Sequence, residues 1–87
     1  MAVAVRDVQL DAANIRVYWL PSTEIFYFTI DEATTTLALK VWLSTRVGCY
    51  ATHMHICFGM TQLPDEVPLS QYAGHGDTVV ARPKRGG

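Results

Sequence analysis

The stretch that decides the fold is Cys57-Phe58-Gly59-Met60-Thr61-Gln62-Leu63-Pro64-Asp65-Glu66-Val67-Pro68-Leu69-Ser70-Gln71-Tyr72. Its first two residues close a run, His53 to Phe58, that puts Met54, Ile56 and Phe58 on one face. His53, His55 and Cys57 fall on the other, and this period of two marks a half-buried strand. Gly59, Pro64 and Pro68 then interrupt the chain, because glycine loosens the backbone and proline fixes φ while removing a donor. Residues 59–76 are therefore expected to hold turns, one very short strand and a short helical turn near Leu69–Tyr72.

Working outward, the upstream half reads as a hairpin followed by a helix. Ile15, Val17 and Trp19 alternate with Asn14, Arg16 and Tyr18, which is again a strand pattern. Pro21-Ser22-Thr23 supplies turn chemistry, and Ile25 to Ile30 is rich in β-branched and aromatic residues. Phe26, Phe28 and Ile30 are expected to face inward, with Ile25, Tyr27 and Thr29 outward. Asp31-Glu32 and Thr34-Thr35-Thr36 offer acceptors for a helix N-terminus. Leu39, Trp42, Leu43 and Val47 share one helical face, and Gly48 suits the left-handed residue just past the end. The spacing predicts a helix over 35–47. Downstream, Gly74-His75-Gly76-Asp77 is a turn and Thr78 to Arg82 a last strand that Pro83 helps to end. The order ββαβ(β)β gives an α+β fold, a mixed sheet of four to five strands with one helix packed across it.

Composition narrows the function. The chain has 87 residues, 49% of them apolar and 17% charged, so one globular domain with a small core is expected. The net charge is −1 and the basic residues are scattered, which disfavours a nucleic-acid binder. Tyr18, Tyr27 and Trp42 lack the basic neighbours of a stacking platform. Cys49 and Cys57 are too few for a disulfide scaffold and read as free thiols of a reducing compartment. No apolar run reaches membrane-spanning length, and the start carries early charges, so a cytoplasmic or nuclear protein is expected. No nucleophile elbow, catalytic triad spacing or phosphate-cradling loop is present, and no enzyme is expected.

The quoted block, with Arg85-Gly86-Gly87 at the end of the sequence, is similar to ubiquitin and its relatives. Phe58, Gln62, Leu63, Asp65, Leu69, Ser70 and Tyr72 stand as they do in ubiquitin, and Thr35, Lys40 and Gly48 match in the helix. The resemblance implies a β-grasp fold with residues 1–13 as an N-terminal extension, 14–82 as the ubiquitin-like domain and 83–87 as a conjugation tail. It also implies that Lys40 pairs with Asp65. By the same resemblance the Gly87 carboxylate is adenylated with ATP, passed to a cysteine as a thioester, and joined to a lysine of a target protein. The implied partners are an activating enzyme, a conjugating enzyme, a ligase, a deconjugating protease and target lysines. The reactive cysteine belongs to the partner, no cofactor is held, and the chain itself is a monomeric substrate of catalysis. Glycine suits a tail that threads a narrow channel, and Arg85 offers a forked cation to acidic groups.

Departures from ubiquitin matter as much. Arg82, Pro83 and Lys84 occupy the segment that an activating enzyme reads. The aliphatic recognition patch is represented by Leu20, Cys57 and Ala81, with His55 beside them, a smaller and less apolar set. Only Lys40 and Lys84 are lysines, and Thr61 stands at the usual chain-building lysine position, so polymeric chains are not expected. Two other readings compete. A sulfur carrier, like the small subunit of molybdopterin synthase, shares the diglycine end and a turn like Gly76-Asp77-Thr78-Val79. A non-conjugated ubiquitin-like interaction module shares the fold alone. His53, His55 and Cys57 on one strand face, with Cys49 or His75 as a fourth ligand, would suit zinc. A sheet face with two polar histidines and a small thiol is the simpler reading, and no metal is expected.

Overall fold

A computed structural model describes residues 13–84. Strand β1 spans Ala13–Trp19, β2 Glu24–Ile30, β3 Met54–Phe58, β4 Thr61–Gln62 and β5 Thr78–Pro83, and the helix α1 spans Thr36–Val47. Short 3-10 turns occupy Ala51–His53 and Leu69–Gln71. The sheet order is β2-β1-β5-β3-β4, with β1 and β5 parallel at the centre and every other pair antiparallel. Parallel neighbours need a long crossover, and here it is everything from β2 to β4, including the helix.

The alternation read along β1 holds. Ile15, Val17 and Trp19 are buried in one cluster with Leu39 and Leu43 of the helix, and Ile30, Met54, Ile56, Leu63, Leu69, Ala73, Val79 and Ala81 complete the core. Phe26 and Phe28 are only half-buried, because β2 lies at the sheet edge. They stack on Trp42 of the helix at centroid distances of 6.2 and 4.8 Å. Trp42 thus belongs to the helix-side packing, whereas Tyr27 is exposed and Tyr18 half-exposed, both on the far face of the sheet. The three aromatics form no common platform.

The free N–H groups of the first three helical residues of α1 are all accounted for. Thr36 N donates to the Val67 carbonyl and Leu37 N to the Asp65 carbonyl, both at 3.1 Å. Ala38 N donates to the Thr35 hydroxyl, and Leu39 N to the Thr35 carbonyl. Thr35 is therefore the cap, while Asp31 serves an earlier turn, accepting from Ala33 N and the Thr34 hydroxyl at 2.9 Å. The expectation that Asp31 helps cap the helix is corrected: four residues separate it from α1. Leu69 N returns to the Thr34 carbonyl at 2.8 Å, so the loop 65–69 and the helix start hold each other. Gly48 ends the helix at φ 73°, its N–H bonded to Ser44.

Lys40 reaches from the buried stripe of α1 to this loop, with Nζ 2.6 Å from Asp65 Oδ1. The lysine side chain is 7% exposed and the aspartate 45%. Removing the carboxylate strands a buried ammonium, whereas removing the ammonium leaves a carboxylate that water can reach. Asp65→Ala is accordingly expected to cost about 1–2 kcal/mol after discounting for the exposed partner. Lys40→Met should cost less, and urea denaturation of both variants reads the difference. A second site tests backbone strain: Thr23 closes the β1–β2 turn at φ 62°, a region that a β-branched residue adopts at a cost. Thr23→Gly is expected to stabilise by about 0.5–1 kcal/mol, visible as a higher urea midpoint.

Candidate functional site

The sheet has two faces, and the helix covers one. Register fixes the other: Ile25 pairs with Tyr18, Tyr18 with Val80, Val80 with Cys57 and Cys57 with Gln62. This row crosses the whole sheet on its uncovered side. A neighbouring pair on the same face, His55 opposite Arg82, lies next to Leu20. Arg16 pins the β1–β5 junction from this side, its guanidinium donating to the Thr78 hydroxyl at 3.0 Å and the Gly76 carbonyl at 3.1 Å.

Leu20, His55 and Cys57 all reach this face as expected, Leu20 44% exposed and the other two half-buried. Ala81 does not. It is 0% exposed, because it pairs with Trp19 and Ile56, both of which point under the helix. Its expected place in the recognition surface is corrected. The last strand presents Val80 and Arg82 instead, and β1 adds Tyr18. Alternation along β1 already placed Tyr18 outward; the adjacent Val79-Val80 pair offered no period to decide between them.

Leu20, Pro21, His55, Arg82 and Pro83 line a groove of about 390 Å³ at the end of this face. Strand β5 reaches one residue beyond the expected Arg82, with Pro83 opposite Met54. Lys84 N then donates to the His53 carbonyl at 2.8 Å. Since the Lys84 N–H points to β3, the nitrogen of Pro83 points to the β1 side. There β1 has already turned away at Leu20, whose N–H bonds Ala81. Proline's missing donor costs nothing at that position. Arg85, Gly86 and Gly87 lie outside the described residues, as does all but Ala13 of the expected N-terminal extension.

The groove is cationic as well as apolar. Burial, then the positive charges of Lys84, Lys40 and Arg82, hold the His55 imidazole below its ordinary 6.5. His55 Nδ1 is buried and has no hydrogen-bond partner among the described residues. His53 is not on the strand: it ends the 3-10 turn before β3, stacked edge-on against Tyr50 at 5.6 Å. Continuous alternation of His53 with Met54 concealed this boundary. The His53-His55-Cys57 row therefore does not exist as a strand face. His75 is distant as well, its Nδ1 accepting from Asn14 N at the opposite end of β1. No group of three or more metal-ligating side chains is found among the described residues.

Comparison with solved structures follows the same lines. The ubiquitin-like (UBL) domain of Plasmodium falciparum Dsk2 superposes with a TM-score of 0.75 at 22% identity, covering 84% of this chain and 99% of that one. The N-terminal ubiquitin-like domain of the 4931431F19Rik protein also gives 0.75, at 20% identity, covering 88% of this chain and 79% of that one. The fold is the ubiquitin-like β-grasp. No family model and no curated protein matches the sequence. The ubiquitin-like fold is thus a statement about architecture, carried by structure at low identity.

A histidine held neutral by the fold makes stability pH-dependent. The depressed His55 value contributes stability that is full above the unfolded value of 6.5 and is lost as pH falls through the folded one. Between about pH 7.5 and about pH 5.5 the urea midpoint should therefore fall further for the wild type than for His55→Gln. Equal falls would show that His55 does not carry the dependence.

Proposed function

We propose that this chain is a ubiquitin-like protein modifier whose Gly87 carboxylate, free or released by processing, is activated and joined to target lysines. The carrying observation is where the backbone leaves the sheet. Among the described residues the last backbone N–H bonded to the sheet is that of Lys84, to His53, and the Arg85-Gly86-Gly87 motif follows it in sequence on a ubiquitin-like domain. Three residues span at most about 10 Å when extended. An enzyme that works on Gly87 must come close to the groove between Leu20 and Pro83.

The chemistry is ordinary acyl transfer. The carboxylate attacks the α-phosphate of ATP and releases pyrophosphate. A cysteine thiolate of the activating enzyme then displaces AMP, and a conjugating enzyme takes the acyl group by thiol exchange. With a ligase, the lysine amine of a target displaces that thiol and forms the isopeptide bond; a deconjugating protease hydrolyses it. This chain supplies the carboxylate and the surface that selects the enzymes, with Arg82, Lys84 and Arg85 offering cations and Pro83 and Leu20 an apolar floor. Lys40 is a poor acceptor for further rounds, being buried and paired with Asp65. Lys84 lies three residues from Gly87.

One observation favours a second reading. Both solved structures bear the name of a UBL or ubiquitin-like domain of a larger protein, as in a non-conjugated interaction module. The uncovered row Ile25, Tyr18, Val80 and Cys57 would then be the working surface, with no acyl transfer.

A charging assay separates these. With ATP and a cell extract, the tagged full chain is expected to form a thiol-sensitive adduct, then isopeptide adducts on target lysines, and deletion of Gly87 should abolish both. Equal charging of the Gly87-deleted chain, or no adduct with either, would sink the modifier reading. Replacement of one tail oxygen by sulfur, seen in the intact mass, would identify a sulfur carrier instead.

A further inference from the structure

The two ends of the sheet are guarded differently. Among the described residues β4 forms one edge and β2 the other. An open edge presents unpaired N–H and C=O groups, and proteins blunt it with brevity, charge, proline or a bulge. β4 is blunted by brevity, being only the two residues Thr61–Gln62. β2 uses none of these devices over most of its length. It runs for seven residues, and its register against β1 is one-to-one from Trp19↔Glu24 to Ala13↔Ile30, with no bulge. After Glu24 it reads Ile25-Phe26-Tyr27-Phe28-Thr29-Ile30, without charge, proline or glycine.

The side chains along this edge are incompletely covered. Ile25 and Tyr27 are 50% and 68% exposed on the uncovered face. On the helix side Phe26, Phe28 and Trp42 form one aromatic group, and all three are only half-buried. Thr29 makes no demand on a partner, since its hydroxyl donates to Asn14 Oδ1 at 2.6 Å.

Which occupant fits follows from the order of the residues. Antiparallel pairing of this strand with itself about Tyr27 sets Tyr27 against Tyr27 of the second copy. Phe26 then meets Phe28 and Ile25 meets Thr29, so residues of one face meet residues of the same face. Glu24 falls opposite Ile30, and no two like charges oppose each other. The strand is self-complementary, as a two-fold interface requires. The helices lie on one side of the joined sheet, where the half-buried phenylalanines of both copies come together.

We propose that two copies of this chain pair antiparallel through the β2 edge, about a two-fold axis at Tyr27, into one continuous sheet. The contact is one strand wide and about 24 Å long. So small an interface gives a weak dimer in exchange with the expected monomer. It rests on the β2 edge alone and stands whether or not Gly87 is conjugated.

Sedimentation velocity of the full chain between about 10 μM and about 1 mM is expected to show a reversible dimer with its Kd inside that range. Tyr27→Lys sets two ammonium groups against each other at the axis and should weaken the dimer at least about tenfold. Its circular dichroism should match the wild type, because position 27 is exposed. Tyr27→Phe should keep the dimer. Hydrogen exchange of the β2 amides that point away from β1 should slow as concentration rises. A chain that stays monomeric throughout overturns the proposal, as does a dimer equally strong in Tyr27→Lys. A dimer that leaves those amides unprotected is joined face to face and overturns it too. Slow exchange that does not depend on concentration would mean an edge covered within one chain, which also overturns it.

Discussion

Everything in this fold hangs on how the start of α1 is seated. A helix laid on a sheet can slide or swivel unless its end is held, and here the loop Asp65–Leu69 holds it. Carbonyls of Asp65 and Val67 accept from the first two helical N–H groups, and Leu69 N answers to Thr34. Lys40, one turn further, clamps the same loop through Asp65. These contacts decide which side of the helix meets the sheet, and so why Leu39 and Leu43 land on Ile15, Val17 and Ile30. They also anchor the chain that returns to β5. The central parallel pair β1–β5 would otherwise depend on closing a crossover of nearly sixty residues, 20–77, by packing alone.

That seat explains why so much was legible. Asp65, Val67 and Leu69 make the loop's bonds to the helix start, and they stand in the stretch whose reading pointed to the fold. Period-two alternation placed Ile15, Val17 and Trp19 inward because one face of β1 is wholly covered. Gly48 marked the helix end because only a left-handed residue lets the chain turn there. What escaped was decided by pairing between distant strands. Ala81 carries too small a side chain to announce a face, and its burial follows from lying between Trp19 and Ile56. His53 continues the alternation of β3 in sequence, yet its N–H bonds the Tyr50 carbonyl at 2.9 Å, which bends it into a turn. Thr36 looked like a cap and is instead the first helical residue, fully buried.

The division of the sheet into a covered and an uncovered face organises the candidate site. A row from Ile25 through Tyr18 and Val80 to Cys57 offers moderate apolar surface with a thiol at one end. Tyr18 is its one residue of the aromatic or guanidinium-bearing kind on which binding usually depends. The chemistry that could discriminate between partners gathers at one end only. There Arg82 and His55 face each other across β5 and β3, Leu20 and Pro21 close the side, and the strand runs out. The His55–Arg82 pair and the end of β5 therefore coincide in space.

That coincidence turns on Pro83. In a central strand proline would break a ladder bond, and β5 is central along most of its length. Its last two residues are not, because β1 ends at Trp19 and Leu20 makes the final bond to Ala81. Proline can therefore stand opposite Met54 with its nitrogen turned to the vacant side, while Lys84 still bonds His53. The strand is thereby carried past its β1 neighbour on the strength of β3 alone. Its side chains at 82 and 83 are left bare on the β1 side, where they form a wall of the groove. A residue with a free N–H at 83 would ask for a partner that the fold does not supply. Proline removes the demand.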